Sequence, residues 1–285
     1  MSELDEIRHY YAEELRAAAN LQSEALVQAF AKVPREHFLG PGPWQVFSPE
    51  SETDWTTKDA DPRRLYHNLL VVIDTVRHLN NGCPSFLAFL IDELQLQPGE
   101  HVVHIGCGPG YYTAVMAEVV GNQGLVTAIE IDSQLAGRAR ANLGYLTHVN
   151  VVEGDGAEKV PGPADAILVN AGATHPSALW LDSLRPGGRL ILPLTTTDNT
   201  DEGGAGHILK VIRQPNGLRA SFISGVRIFP CVGGRDAELN RRLNEAFKRR
   251  DAESVRSLRR DRHDAEDSCW FHSERFCLSK NVLAP

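Results

Sequence analysis

The sequence predicts an α/β chain built on a doubly wound, mostly parallel sheet, with an antiparallel hairpin at one edge and helical additions at both ends. Three observations carry this prediction. Apolar, β-branched runs alternate with helical segments across the middle of the chain, a glycine-rich loop follows the first of these runs, and an Asn-Gly turn joins two late apolar runs. At 285 residues and 42% hydrophobic content, the chain is long enough to bury a full core.

From Ser2 to about Lys32 the pattern is helical, with Leu15, Leu21, Leu26 and Phe30 recurring at near-helical spacing, and Pro34 ends it. Residues 40–64 carry prolines, glycines and a long polar run, which predicts an irregular surface segment. Leu69 to Thr75 reads as a short strand, and Pro84 to Leu94 as a helix with proline in its first turn. The alternation then begins. HVVHIG, LVTAIEI, VNVVEG, ADAILVN and RLILPL are strands, and Tyr112 to Val120, Ser133 to Leu143 and about Ser177 to Leu184 are the helices between them.

HILKVIR and ASFISGVRIF flank Gln214-Pro215-Asn216-Gly217 and predict the edge hairpin. Ala237 to about Asp267 is charged and reads as helical, and CWFHSERFCLS closes the chain as a strand. The chain therefore divides into an N-terminal helical and substrate-side region (1–95), a ligand-binding core (96–235) and a C-terminal extension (236–285).

A formal net charge of −8 gives no general attraction to phosphate backbones or anionic membranes, so neither nucleic acid nor membrane is an expected partner. The acidic start, MSELDEIRHYY, does not read as a secretory signal, and no apolar stretch approaches the roughly 18 residues needed to span a bilayer. Five scattered cysteines suit a reducing compartment, and the expected location is cytoplasmic. Oligomeric state is not encoded in any of these features.

The loop HIGCGPGYYTA places Gly106, Gly108 and Gly110 at the carboxyl end of the first alternating strand, where ligands bind in doubly wound sheets. Glu130 ends the second strand, where a carboxylate accepts both hydroxyls of a ribose. Gly154-Asp155-Gly156 ends the third strand and offers a carboxylate to an adenine amino group. A nicotinamide dinucleotide site would want G-x-G-x-x-G, but the third position here is Tyr111. The G-x-G-x-G spacing fits an adenosyl ligand without a pyrophosphate better.

At these residues the sequence resembles the Rossmann-like class I methyltransferases, and within them the protein-L-isoaspartate (D-aspartate) O-methyltransferase family. The resemblance runs in order through VPREHF, HIGCGPGYYTAVMAE, VTAIEID, RARANL, VVEGDGAE, ADAILVNAGA, LRPGGRLILPL and VRIFPCVGG. It implies an S-adenosyl-L-methionine-dependent carboxyl O-methyltransferase that acts on a peptide or protein and releases S-adenosyl-L-homocysteine. It further implies that His104, Gly106, Cys107, Gly108, Gly110 and Tyr111 form the cofactor loop. Glu130 with Ile131 would lie at the ribose, Asp155 with Gly156 and Ala157 at the adenine, and Asn170 beside the methyl donor.

Two positions depart from the family pattern. Gly82 stands where the family usually carries a hydroxyl just upstream of a helix-opening proline, which leaves Cys83 and Ser85, beside Pro84, as substrate-side candidates. His104 stands where an acidic residue is common. The loss of the hydroxyl motivates an alternative, a cofactor-binding partner or regulatory protein without catalysis.

His263, Cys269, His272 and Cys277 are four potential metal donors in a short segment. On one continuous strand, however, Cys269 and Cys277 face one side and His272 the other, so the expectation is ordinary packing and no metal. KRRDAESVRSLRRDRHDAED interleaves arginines with acids and reads as a solvated, salt-bridged face. Cys107 sits near a helix amino terminus, but methyl transfer requires no nucleophilic thiol.

Overall fold

The computed structural model describes residues 2–77, 79–197 and 203–284. The chain divides into two compact units, Met1–Glu100 with Cys107–Glu153, and His101–Gly106 with Gly154–Pro285. The units interleave along the sequence.

The first unit opens with two helices where the sequence pattern read as one, α1 (Glu3–Ala19) and α2 (Glu24–Lys32). Asn20 takes the left-handed conformation that stops α1, and the Ser23 hydroxyl accepts the Leu26 amide at 3.2 Å to start α2. Their apolar faces bury Tyr11, Leu15, Leu26 and Phe30. Just beyond, the fully buried Arg35 guanidinium donates to the carbonyls of Leu65, His67 and Leu69, which ties that stretch of loop to the helices.

Residues 40–64, expected to be irregular, contain the hairpin β1 (Gln45–Ser48) and β2 (Thr53–Thr56). With β3 (Leu70–Asp74) and β4 (Leu79–Asn80) it forms a four-stranded antiparallel sheet, ordered β2-β1-β3-β4. Every residue of β2 is exposed, so the strand carries no apolar alternation by which a sequence reading would find it. Leu39, Trp44, Val46, Leu65 and Val71 are the core beneath this sheet. Helix α3 (Pro84–Glu93) follows.

The alternation runs as the sequence predicts: β5 (His101–Ile105), α4 (Tyr111–Val120), β6 (Leu125–Glu130), α5 (Ser133–Leu143), β7 (Val149–Glu153), β8 (Ala164–Val169), α6 (Ala178–Ser183) and β9 (Leu184–Thr196). In the first unit β6 and β7 are parallel, and α5 packs on both. In the second unit β5, β8 and β9 are parallel neighbours.

The second unit then changes direction. β10 (Gly204–Gln214) and β11 (Gly217–Ile228) form the predicted hairpin, closed by the two residues Pro215 and Asn216. The tail differs from its prediction. Among its described residues the one α-helix is α7 (Ala237–Lys248), with Leu239, Leu243 and Ala246 buried along one stripe; Arg250 follows it in a left-handed conformation, and a short 3-10 turn covers Ala252–Ser254. Three short strands come after it, β12 (Ser257–Arg259), β13 (Cys269–His272) and β14 (Cys277–Ser279), so this unit's strand order is β13-β14-β12-β11-β10-β9-β8-β5.

The antiparallel part is therefore larger than one hairpin, and the sheet is mixed. Of the tail strands, β12 pairs with β11, whose edge would otherwise present unpaired backbone groups, β14 pairs with β12, and β13 with β14. CWFHSERFCLS is itself a hairpin, turned at Ser273, whose hydroxyl accepts the Phe276 amide at 3.1 Å. Its register shifts between Cys269 and Phe271, and His272 pairs with Cys277. The bulge resets the side-chain alternation, and His272 lies on the same side as Cys269 and Cys277, contrary to the single-strand expectation.

Candidate functional site

In the first unit, Glu130 ends β6 with only 6% of its surface exposed. Its Oε2 accepts the Gly108 amide at 2.7 Å, and its Oε1 accepts the Asp132 amide at 3.1 Å. A carboxylate has about four acceptor positions, so capacity remains for two further donors. A Cβ at Gly108 would meet nothing within 4 Å, so open space borders the loop beside this carboxylate. Ile131, the next residue, is apolar and 45% exposed.

The rest of this loop is anchored. Cys107 donates its amide to Ile129 at 3.2 Å, and the Asn142 amide group donates to the Pro109 carbonyl at 2.9 Å. Burial, with Glu130 nearby, pushes the Cys107 thiol well above its ordinary range, so it remains a neutral thiol. Gly110 is the N-cap of α4. The Tyr111 ring points into the core against Phe30 and Phe38, so this residue offers a ligand its backbone and not its ring.

The turn expected on the substrate side, also in the first unit, is built around Asn68 and Asn80. Asn80 Oδ1 accepts the Gly82 amide at 2.9 Å, and Asn68 Oδ1 accepts the Ser85 amide at 2.9 Å, serving from a distance as the cap that Cys83 does not supply for α3. The Cys83 Sγ lies 3.5 Å from both Asn68 Oδ1 and Ser85 Oγ. Gly82 has φ +79, and a Cβ there would come within 2.9 Å of Leu87 Cδ2. The hydroxyl-bearing residue of the family pattern is therefore disfavoured here by both backbone and space. A cavity of about 230 Å³, lined by Gln45, Phe47, Leu70, Val72, Thr75 and Asn80, adjoins this turn through Asn80.

In the second unit, His104 is fully buried on β5, and burial holds its imidazole down to about 3, so it is neutral at ordinary pH. It supplies no charge. Asn170 follows β8 and donates its amide to the Ile105 carbonyl at 2.8 Å; a Cβ on Gly106 would stand 3.3 Å from the Asn170 carbonyl oxygen.

Asp155 Oδ1 accepts the Ala157 amide at 2.8 Å. Two residues that sequence reasoning missed hold this loop. Trp180, fully buried, donates its indole N–H to the Gly156 carbonyl at 2.7 Å. Gly233 lies so close that a Cβ there would be 1.7 Å from Asp155 Oδ2. A buried tryptophan needs a partner for its N–H, which was the available signal for Trp180. Gly233 is a long-range contact with no local signature.

Against known proteins, the family model described as protein-L-isoaspartate (D-aspartate) O-methyltransferase matches residues 62–210. Protein-L-isoaspartate O-methyltransferase 1 of Archaeoglobus fulgidus is 32% identical over 81% of this chain and 95% of its own length. A solved structure titled protein-L-isoaspartate O-methyltransferase superposes with a TM-score of 0.64 at 25% identity, over 90% of this chain and 72% of the other. A second, a putative protein-L-isoaspartate O-methyltransferase from Plasmodium falciparum in complex with S-adenosyl-L-homocysteine, has a TM-score of 0.60 at 18% identity, over 79% of this chain and 98% of the other. The latter likeness concerns the fold alone.

Proposed function

Because the chain belongs to the protein-L-isoaspartate (D-aspartate) O-methyltransferase family, we propose that it transfers a methyl group from S-adenosyl-L-methionine to a carboxylate of a peptide or protein. The observation that carries this reading is Glu130: a nearly buried carboxylate, with spare acceptor capacity, beside a glycine loop bordered by open space. That arrangement suits two ribose hydroxyls.

In this reading Glu130 holds the ribose, Gly106, Gly108 and Gly110 approach the cofactor through their backbones, and Ile131 covers an apolar face. Asp155, with Gly156 and Ala157, reads the adenine, and Asn170 serves near the methyl donor. His104 and the Tyr111 ring contribute packing. Bound S-adenosylmethionine supplies an electrophilic methyl, and a carboxylate is already a competent nucleophile. The protein's task is to orient that carboxylate and to exclude water, and no strong base is required.

Ser85 and Cys83, with Asn68, are the groups that take over from the hydroxyl absent at Gly82. The cysteines are all free, which supports a reducing, cytoplasmic setting, and no helix among the described residues is long and apolar enough to cross a membrane. The left-handed backbone at Gly82 favours one second reading, binding of the cofactor without catalysis.

Transfer of labelled methyl to an isoaspartyl peptide and to its aspartyl twin, scored as base-labile ester, separates the two. Label on the isoaspartyl peptide alone establishes the family's substrate for this chain. Label on another carboxylate establishes a changed substrate, and none on any peptide or protein pool, with cofactor bound, favours the second reading.

A further inference from the structure

The C-terminal tail brings together four side chains that the methyl-transfer reading does not use. His263, Cys269, His272 and Cys277 each offer one donor atom, and the four atoms all lie within 4.8 Å of one another. Cys269 Sγ is 3.6 Å from His263 Nε2 and 3.9 Å from His272 Nδ1. Around a tetrahedral zinc ion, with Zn–S about 2.3 Å and Zn–N about 2.0–2.1 Å, sulfur and nitrogen ligands stand about 3.6 Å apart. The spacing in the tail is close to that of a ligand set already gathered.

The backbone explains the gathering. The β13/β14 hairpin pairs His272 with Cys277, and the bulge between Cys269 and Phe271 turns Cys269 toward them. The loop before β13 returns His263 to the same place. Cys269 donates its amide to the Glu266 carbonyl at 2.8 Å, and Arg259 bridges Asp261, at 2.8 Å, and Glu266 across the loop. Cys277 is buried and the other three are partly shielded.

The outer contacts fit as well. His263 Nδ1 lies 3.0 Å from the Asp261 carbonyl, an acceptor, so that nitrogen carries the proton and Nε2 turns its lone pair to the cluster. Metal-bound histidines are oriented in this way by a carbonyl or carboxylate behind the ring. The His263 and His272 rings meet edge to face, with centroids 4.7 Å apart, which lets both nitrogens converge.

We propose that His263, Cys269, His272 and Cys277 form a closed, four-coordinate zinc site that clamps the loop of residues 260–268 onto the β13/β14 hairpin. Four protein ligands leave no open position, so the site is structural. Both cysteines bind as thiolates, each giving its proton to solvent, and their two negative charges balance the divalent ion. The location matters because β14 pairs with β12, and β12 with β11, so the clamp secures the outer edge of the second unit's sheet.

The full-length chain, without a histidine tag, is reduced, stripped of metal and titrated with cobalt(II), then with zinc. The expected result is one equivalent of cobalt per chain, with the visible bands of a tetrahedral site and a near-ultraviolet thiolate charge-transfer band, both lost as zinc displaces it. Cys269→Ser and His263→Gln, the latter in an exposed loop where misfolding is least at issue, lower zinc affinity at least about tenfold. An octahedral or absent cobalt spectrum in the reduced chain overturns the proposal, as does zinc affinity unchanged in both variants. So does a chain that takes up no zinc after reduction and is isolated with a Cys269–Cys277 disulfide.

Discussion

Glu130 receives the Gly108 amide at 2.7 Å, so the carboxylate proposed to hold the ribose also fixes the curvature of the glycine loop. Its second oxygen is held by the Asp132 amide at 3.1 Å, where α5 begins. The side chain cannot rotate without abandoning two backbone donors, which makes it a pre-oriented acceptor.

Glu130→Gln tests this dual role. The amide is isosteric, but it has no charge and must turn an NH₂ toward one of the two backbone amides. Cofactor affinity is expected to fall by about 1.5–3 kcal/mol, roughly tenfold to a hundredfold in Kd. Calorimetric titration with S-adenosyl-L-homocysteine measures it, and an unchanged Kd would remove Glu130 from the ribose site.

The Asp155 loop makes a separate prediction. In Gly233→Ala the new methyl would stand 1.7 Å from Asp155 Oδ2, so the carboxylate or the backbone must move. A displacement of that order weakens a positioned contact substantially, and cofactor affinity is expected to drop about tenfold or more, with about 1–3 kcal/mol lost in stability. Gly137→Ala on α5, where a Cβ meets nothing within 4 Å, is the control and leaves affinity unchanged. Equal affinities for both variants would show that Asp155 does not contact the cofactor.

These contacts also show what a sequence can and cannot carry. The alternation from β5 to β9 was legible because each strand is an apolar run and each intervening helix has its own apolar face. Glu130 and Asp155 were legible because strand ends are local. The hairpin of β1 and β2 was not, since β2 is exposed throughout and leaves no alternation to read. One N-terminal helix became two because Asn20 and Ser23 form a stop and a start within four residues of otherwise helical composition. Gly233 against Asp155 is a contact between distant turns, and His263 beside Cys269 is made by the return of an irregular loop; periodicity encodes neither.

Gly82→Ser restores the hydroxyl at the position where the family pattern has one. The native φ of +79 suits glycine, and the new Cβ would press within 2.9 Å of Leu87 Cδ2. The left-handed conformation alone costs about 1–2 kcal/mol, and the contact adds to it. Urea unfolding is expected to show a loss of about 1–3 kcal/mol with no gain in methyl transfer to an isoaspartyl peptide. Ser85→Ala, by contrast, removes a hydroxyl without touching the backbone and should lower transfer while leaving stability nearly unchanged. A gain in transfer by Gly82→Ser over the parent would mean that the turn itself readjusts, and transfer unchanged in Ser85→Ala would mean that Ser85 is not the replacement.

The buried His104 is expected to make the fold less stable toward acid. Burial holds its folded-state value at about 3, far below the 6.5 of an exposed imidazole. Above pH 6.5 the ring is neutral in both states, and its burial carries no protonation penalty. As pH falls below 6.5 the unfolded chain gains a proton that the folded chain refuses until about 3, so stability declines across that window. Between pH 7.5 and pH 5 the decline from this group is about 2 kcal/mol. His104→Leu removes the titrating group, so its stability should fall less than that of the parent over the same interval, by about that amount. Parallel urea melts at the two pH values measure the difference, in which the other titrating groups cancel. Identical declines would mean that the His104 ring is protonated in the folded chain, and therefore reached by water or by a carboxylate at its position on β5.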